Sequence, residues 1–98
     1  MKPPEPSDDE PVVLPIEDSL DLHAFQPKEI ASVVGEYLEE CRKAGFLEVR
    51  LIHGKGVGVQ RNIVRSVLSK HPAVESYHDA PAEAGGWGAT VVILKQQD

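Results

Sequence analysis

The chain has 98 residues, one cysteine and a formal net charge of −6. This length predicts one small domain, and the single cysteine, Cys41, excludes an intramolecular disulfide and is expected in the core. The sequence contains neither an apolar run long enough to cross a bilayer nor a signal-peptide pattern, so we expect a cytoplasmic protein that is monomeric by default.

The negative charge is concentrated at the N-terminus. Residues 1–18 hold Lys2 against six acidic residues, a net of −5, together with five of the eight prolines. That composition predicts a flexible leader over residues 1–18 and one domain over residues 19–98. The domain itself is nearly neutral, at −1, and residues 49–74 contain five basic residues and no acidic one. We therefore expect a local basic surface, which is typical of proteins that bind nucleic acid.

The domain begins with a strand and a helix. Residues 19–23 alternate apolar and polar side chains, which predicts a strand with Asp21 and His23 on the same face. Pro27 suits the first turn of a helix, apolar residues then recur at helical spacing, and Gly45 is the expected stop.

The second half of the domain continues this pattern. A second strand is predicted over residues 46–52, a second helix over residues 59–70 and a weaker edge strand over residues 73–78. The run ATVVIL at residues 89–94 is apolar without alternation, which predicts a strand buried among others.

The element order βαβαββ predicts an α/β fold. Two crossover connections make the first three strands parallel, and a shorter loop makes the fourth antiparallel to the third. Ligands bind beyond the carboxyl ends of parallel strands in open α/β sheets. Four polar or glycine-rich segments converge on that edge: residues 21–23, 53–58, 78–79 and 85–88.

The turn after the second strand concentrates polar chemistry on few residues. Gly54, Gly56 and Gly58 let the backbone adopt positive φ and let a ligand approach without meeting a Cβ atom. Lys55 and the N–H groups of the turn suit an anion such as phosphate. The spacing fits neither a P-loop nor a dinucleotide-binding fingerprint.

His53 supplies a group that titrates near neutral pH, but its orientation is ambiguous. Alternation along the second strand puts His53 in phase with the core, where it would be a buried hydrogen-bonding residue. The alternative is that the strand ends at Ile52 and the turn rotates His53 outward. We favour the outward orientation because Gly54 follows directly.

Further contacts to nucleic acid are expected outside this turn. Arg61 and Arg65 on the second helix are predicted to contact phosphates. The glycine-rich loop that contains Gly85 and Gly86 presents Trp87, which either stacks on an exposed base or folds onto the sheet edge.

Three motifs resemble those of the Smr (small MutS-related) domain family: Leu20-Asp21-Leu22-His23, His53-Gly54-Lys55-Gly56 and Gly85-Gly86-Trp87-Gly88-Ala89-Thr90-Val91-Val92. The resemblance covers about residues 19–94. It implies a two-layer α/β sandwich with a four-stranded mixed sheet and two helices, as in the C-terminal domain of a translation initiation factor. The fourth strand would lie between the second and third. Ala24 departs from the pattern, because the family usually has glycine there.

The family includes nucleases that nick DNA and others that cut RNA, so the resemblance implies a nucleic-acid endonuclease. Its motifs place the active site at Asp21, His23 and His53. The two histidines would act as base and acid, and Asp21 would orient His23 or hold a divalent ion such as Mg²⁺ or Mn²⁺. Two ligands are too few to assign a metal site.

Two other functions remain open from the sequence. One is a non-catalytic module that binds branched or structured nucleic acid through its basic residues and Trp87. The other is a small adaptor that binds a protein or a phosphorylated ligand. In a third interpretation, of the site alone, Asp21 and His23 merely end an edge strand.

Overall fold

The computed structural model describes residues 17–56 and 58–96. Within them the chain forms β1 (Ser19–Asp21), α1 (Pro27–Lys43), β2 (Glu48–Ile52), α2 (Val59–Lys70), β3 (Val74–Asp79) and β4 (Ala89–Leu94). Two short 3₁₀ helices, Ala82–Ala84 and Gly86–Gly88, replace the loop expected before β4. Most of the predicted leader lies outside the described residues. Its last two residues contact the domain, because Tyr37 donates to the Glu17 carbonyl at 2.6 Å and Arg50 N–H donates to the Asp18 carbonyl at 2.9 Å.

Hydrogen bonds explain where the element boundaries differ from those predicted. β1 ends at Asp21, not at residue 23, because the Asp21 side chain accepts the His23 N–H and turns the chain. β2 begins at Glu48, not at residue 46, because the Phe46 N–H donates to the Cys41 carbonyl at 3.0 Å and so belongs to the end of α1. This bond and the Gly45 N–H to Arg42 carbonyl bond form a Schellman motif, with Gly45 at φ +87°.

The sheet has the strand order β1-β2-β4-β3. β1 and β2 are parallel, and β4 is antiparallel to both of its neighbours. The predicted position of β4 between the second and third strands is therefore confirmed, as is the predicted edge position of β3. In this register Thr90 lies beside Leu51 on one side and Asp79 on the other. The C-terminal ends of β2 and β3 are therefore adjacent to the N-terminal end of β4.

Both helices share one hydrophobic core with the sheet. Its fully buried side chains include Leu22, Ile30, Val34, Leu38, Cys41, Leu51, Val64 and Val92. A smaller cluster of Ala80, Ala89 and Val91 lies on the other sheet face. This is the predicted two-layer arrangement, with Cys41 in the core as expected. No helix in the described part of the chain is long and apolar enough to cross a membrane.

Candidate functional site

Asp21 and His23 form a hydrogen-bonded pair at the carboxyl end of β1. Asp21 Oδ1 accepts the His23 N–H at 2.9 Å and lies 2.6 Å from His23 Nδ1. Since a carboxylate can only accept, the hydrogen bond requires that Nδ1 carries a proton. The bond from the His23 N–H, followed by the bond from its side chain, holds the pKa of Asp21 below its usual range. The His23 side chain is 58% exposed, so the imidazole ring is partly accessible to a ligand.

Gly54 lies against the ring of His23. A Cβ atom on Gly54 would stand 2.7 Å from His23 Nε2, closer than real side chains approach, and Gly54 has φ +84°. The two motifs at the ends of β1 and β2 therefore meet at this point. Glycine at position 54 is what allows the imidazole to occupy its place.

His53 is buried, with 5% exposure, so the outward orientation favoured above was wrong. Its Nδ1 lies 3.1 Å from the Gly54 carbonyl and its Nε2 lies 2.9 Å from Thr90 Oγ1. A carbonyl only accepts, so Nδ1 donates and Nε2 accepts the Thr90 hydroxyl proton. Burial lowers the pKa of His53, and both ring nitrogens are engaged. The alternation of buried side chains in β2 therefore continues through residue 53. Gly54, on which we based the outward orientation, does not rotate the His53 side chain out of the core.

The glycine-rich turn is tied to the loop before β4. The Gly88 carbonyl accepts the N–H groups of both His53, at 3.0 Å, and Gly54, at 2.8 Å. These two groups are thus unavailable to an anion, contrary to the expectation that the N–H groups of the turn are free. For the N–H groups of Lys55 and Gly56, the described residues provide no backbone acceptor.

Lys55 lies over the same glycine loop. A Cβ atom on Gly88 would stand 2.9 Å from Lys55 Cγ, and one on Gly86 would stand 3.8 Å from Lys55 Nζ. The two glycines thus make room for the lysine stem, and the ammonium group is placed beside the loop.

A cleft of about 180 Å³ opens between the turn and the first turn of α2. Gly58, at φ +87°, directs the chain into α2, whose N-terminus has no side-chain cap. The positive end of the helix dipole therefore contributes to this cleft. Its walls are His53, Gly54, Gly56, Gly58, Val59, Gln60 and Arg61.

Gln60 is a functional candidate that the sequence reasoning missed. Its Nε2 donates to the Phe25 carbonyl at 2.9 Å and to the Leu22 carbonyl at 3.4 Å. These bonds hold the turn that carries His23 against α2. The sequence gives no signal for this role, because glutamine is ordinary on any helix surface.

Arg61 and Arg65, which we predicted to contact phosphates, both pair with Asp79 in the structure. Both donate through Nη2 to Asp79 Oδ1, with a distance of 2.9 Å for Arg61. Arg65 also lies over the Tyr77 ring, 5.5 Å from its centroid. The bond from Arg61 is the main cause that keeps the pKa of Asp79 below its usual range. Asp79 therefore offsets one of the two positive charges.

Two remaining positions lie at the surface. Trp87 is 47% exposed in the second 3₁₀ helix, directly before β4. Ala24 is exposed in the turn after β1, and no described residue other than glycine has positive φ. Alanine at position 24 therefore causes no backbone strain.

The donor set around Asp21 does not fit a resident metal ion. No group of three or more histidine, cysteine, aspartate or glutamate side chains with metal-binding geometry occurs within residues 17–56 and 58–96. Asp21 Oδ1 is already bonded to His23. The Asp21 carboxylate therefore fixes the orientation of the His23 ring.

Sequence comparison associates these motifs with a known family. The family profile described as "Smr domain" matches residues 20–95. The curated protein Endonuclease MutS2 of Clostridium perfringens is 41% identical over 80 residues, and that of Halalkalibacterium halodurans is 40% identical over 80 residues. Each alignment covers 82% of this chain and 10% of the relative, so the chain spans about a tenth of their length.

Two solved structures are also similar. The Smr domain of Thermus thermophilus MutS2 is 40% identical, with a TM-score of 0.77, and the match covers 81% of this chain and 99% of that domain. YdaL, a stand-alone small MutS-related protein from Escherichia coli, is 32% identical, with a TM-score of 0.71. That match covers 84% of this chain and 67% of YdaL.

Proposed function

The chain belongs to the Smr domain family, and on that premise we propose that it is an endonuclease that cleaves phosphodiester bonds of DNA or structured RNA. The observation that supports the proposal is the hydrogen-bonded Asp21–His23 pair, whose His23 side chain is 58% exposed at the carboxyl end of β1. The names of similar proteins support it, since MutS2 relatives are described as endonucleases.

In this proposal His23 performs the proton transfers. Nε2 removes the proton from the attacking hydroxyl, which is water or an adjacent ribose 2′-hydroxyl, and later returns it to the leaving oxygen. The carboxylate of Asp21 keeps the ring oriented and stabilises the imidazolium that forms. Such a group contributes about 10²- to 10⁴-fold in rate.

Lys55 and the turn are proposed to hold the phosphate. The Lys55 ammonium group would offset the negative charge that develops on the phosphate oxygens in the transition state. The N–H groups of Lys55 and Gly56 point to the same role, because the described residues offer them no backbone acceptor. A phosphate held here would lie close to His23, which contacts Gly54.

We assign His53 a positioning role in place of the acid–base role implied by the resemblance. Its bonds to Thr90 and to the Gly54 carbonyl occupy both ring nitrogens, and only 5% of its surface is accessible. It would therefore fix the conformation of the turn beneath His23 and Lys55.

The second candidate function is a non-catalytic module that binds branched or structured nucleic acid. One observation favours it. Because His53 is buried, His23 is the accessible histidine among the residues of the three motifs. A site with one such group can bind phosphate without completing the acid and base steps of cleavage.

Cleavage and binding measured together separate the two functions. The purified chain would be incubated with supercoiled plasmid and with structured RNA, in Mg²⁺, Mn²⁺ or chelator, and binding would be measured on the same substrates. We expect nicked or cut product from the wild type and from His78→Ala, an exposed histidine control on β3, but not from His23→Ala. Binding with no cleavage in any condition would support the module, and absence of binding would contradict both functions.

A further inference from the structure

Trp87 is the only tryptophan of the sequence, and it is one of three exposed large hydrophobic residues in the part of the chain that the structure describes. It lies in the 3₁₀ helix Gly86–Gly88, directly before β4. Nearly half of its surface is accessible, although tryptophan is among the residues that gain most from burial. The exposure of the Trp87 side chain is therefore better explained by contact with a ligand than by the stability of the fold.

The backbone around Trp87 is fixed and connected to the site. Gly86 N–H donates to the Pro81 carbonyl at 2.9 Å, and Gly88 N–H donates to the Gly85 carbonyl at 3.1 Å. The carbonyl of Gly88, one residue after Trp87, accepts the N–H groups of His53 and Gly54. The backbone next to Trp87 is therefore joined by hydrogen bonds to the turn on which His23 rests.

A lysine lies beside the loop that carries Trp87. Lys55 Nζ is 3.8 Å from the Cβ position of Gly86, the residue before Trp87 in the chain. Among the described residues, the other exposed large hydrophobics are Leu47 and Val59. Leu47 lies at the opposite end of β2, before Glu48, so it does not extend an apolar patch around Trp87. An exposed aromatic residue on a loop that also approaches a lysine suits a nucleotide, which brings a base and a phosphate together, better than an apolar protein surface.

We infer that the site takes an unpaired nucleotide, whose base stacks on Trp87 while its phosphate lies at Lys55. This inference rests on the proposed function and names its substrate class: single strands, or duplexes with an unpaired base at the phosphate to be cut. In a regular duplex both faces of each base are covered by its neighbours, so an indole on a turn has no base face to contact.

The sole tryptophan provides a direct measurement. Fluorescence of the full chain, excited where tyrosine absorbs little, would be followed during titration with a single-stranded oligonucleotide, its blunt duplex, and the same duplex with one unpaired nucleotide. Fluorescence anisotropy of the labelled nucleic acid would report binding separately. We expect strong quenching with the single strand and with the unpaired nucleotide, and little with the blunt duplex at equal saturation.

Variants make the stacking contribution quantitative. Trp87→Ala should weaken binding of the single strand by roughly 5- to 150-fold and leave blunt-duplex binding within a few-fold. Trp87→Phe should retain most of the affinity, because it keeps an aromatic face. Leu47→Ala, an exposed apolar control at the far end of β2, should change neither.

The outcomes separate this inference from the proposed function. Binding or cleavage with unquenched tryptophan, or equal losses for Trp87→Ala on single strand and duplex, would overturn the inference and leave the endonuclease proposal standing. Absence of binding to all three nucleic acids would overturn both.

Discussion

Gly54 is the residue at which the motifs of β1 and β2 meet, and it has no tolerance for a side chain. Gly54→Ala would place a Cβ atom 2.7 Å from His23 Nε2 and would also strain the backbone at φ +84°. We expect at least a tenfold loss of cleavage rate, because the imidazole must move, and a loss of stability of about 1 kcal/mol. Single-turnover cleavage and urea unfolding would measure the two effects.

Gly56→Ala is the matched control for this substitution. Gly56 lies two residues further along the same turn, does not have positive φ, and has open space where its Cβ would stand. It should therefore leave stability nearly unchanged, and because it keeps the Gly56 N–H and the position of His23, its rate should fall far less than that of Gly54→Ala. Equal losses for the two variants would mean that the contact of Gly54 with His23 does not matter.

His53 should give the stability of the protein a distinctive pH dependence. Burial lowers its pKa from the ordinary value of 6.5, so the unfolded state takes up a proton at higher pH than the folded state. Stability is therefore complete above about pH 6.5 and falls as the pH is lowered through that value towards the folded pKa. Asp21 and Asp79 act in a lower window, because their pKa values lie below 3.8.

The test compares urea midpoints between about pH 7.5 and about pH 5.5. We expect the midpoint of the wild type to fall over this range and the midpoint of His53→Gln to fall less. His78→Gln, at an exposed position, is the control and should behave as the wild type. A His53→Gln variant with an unchanged pH dependence would show that His53 is not held neutral by burial.

At the scale of elements, the pairing of α2 with the end of β3 sets the charge presented to nucleic acid. Asp79 occupies donors of Arg61 and Arg65 that a phosphate would otherwise take. Asp79→Asn should therefore tighten binding and steepen its salt dependence, by up to two further phosphate contacts or about 1.8 in the slope of log K against log salt on duplex DNA.

Glu75→Gln controls for the change in net charge. Glu75 is exposed on the same strand as Asp79 and has no described ion pair. It should raise affinity slightly without adding phosphate contacts. If both variants change the salt slope equally, Asp79 does not restrain the two arginines.

At the scale of the whole molecule, the architecture was predictable because it depends on patterns that are local in sequence. The crossovers fix parallel strands, and the unbroken apolar run at Ala89–Leu94 fits only a strand with neighbours on both sides. The boundary of β1 was missed because a side chain ends it: Asp21 bonds the backbone two residues later.

The convergence of the segments around the candidate site was predictable for the same reason. Its segments converge because the topology brings strand ends together, which sequence order is sufficient to predict. The contacts that alter its chemistry join residues distant in the chain: His53 with Thr90, Gln60 with Phe25, and the two arginines with Asp79. No local pattern specifies such pairs, since they depend on how α2 packs against the sheet.

The central claim is that Asp21 and His23 act as one reactive unit, and single-turnover cleavage by Asp21→Asn, His23→Ala and the double variant tests it most directly. His23→Ala should slow cleavage by about two to four orders of magnitude while binding changes only a few-fold. Because Asp21 acts through His23, the double variant should be no slower than His23→Ala alone. Full cleavage by His23→Ala, or losses that multiply in the double variant, would contradict the claim.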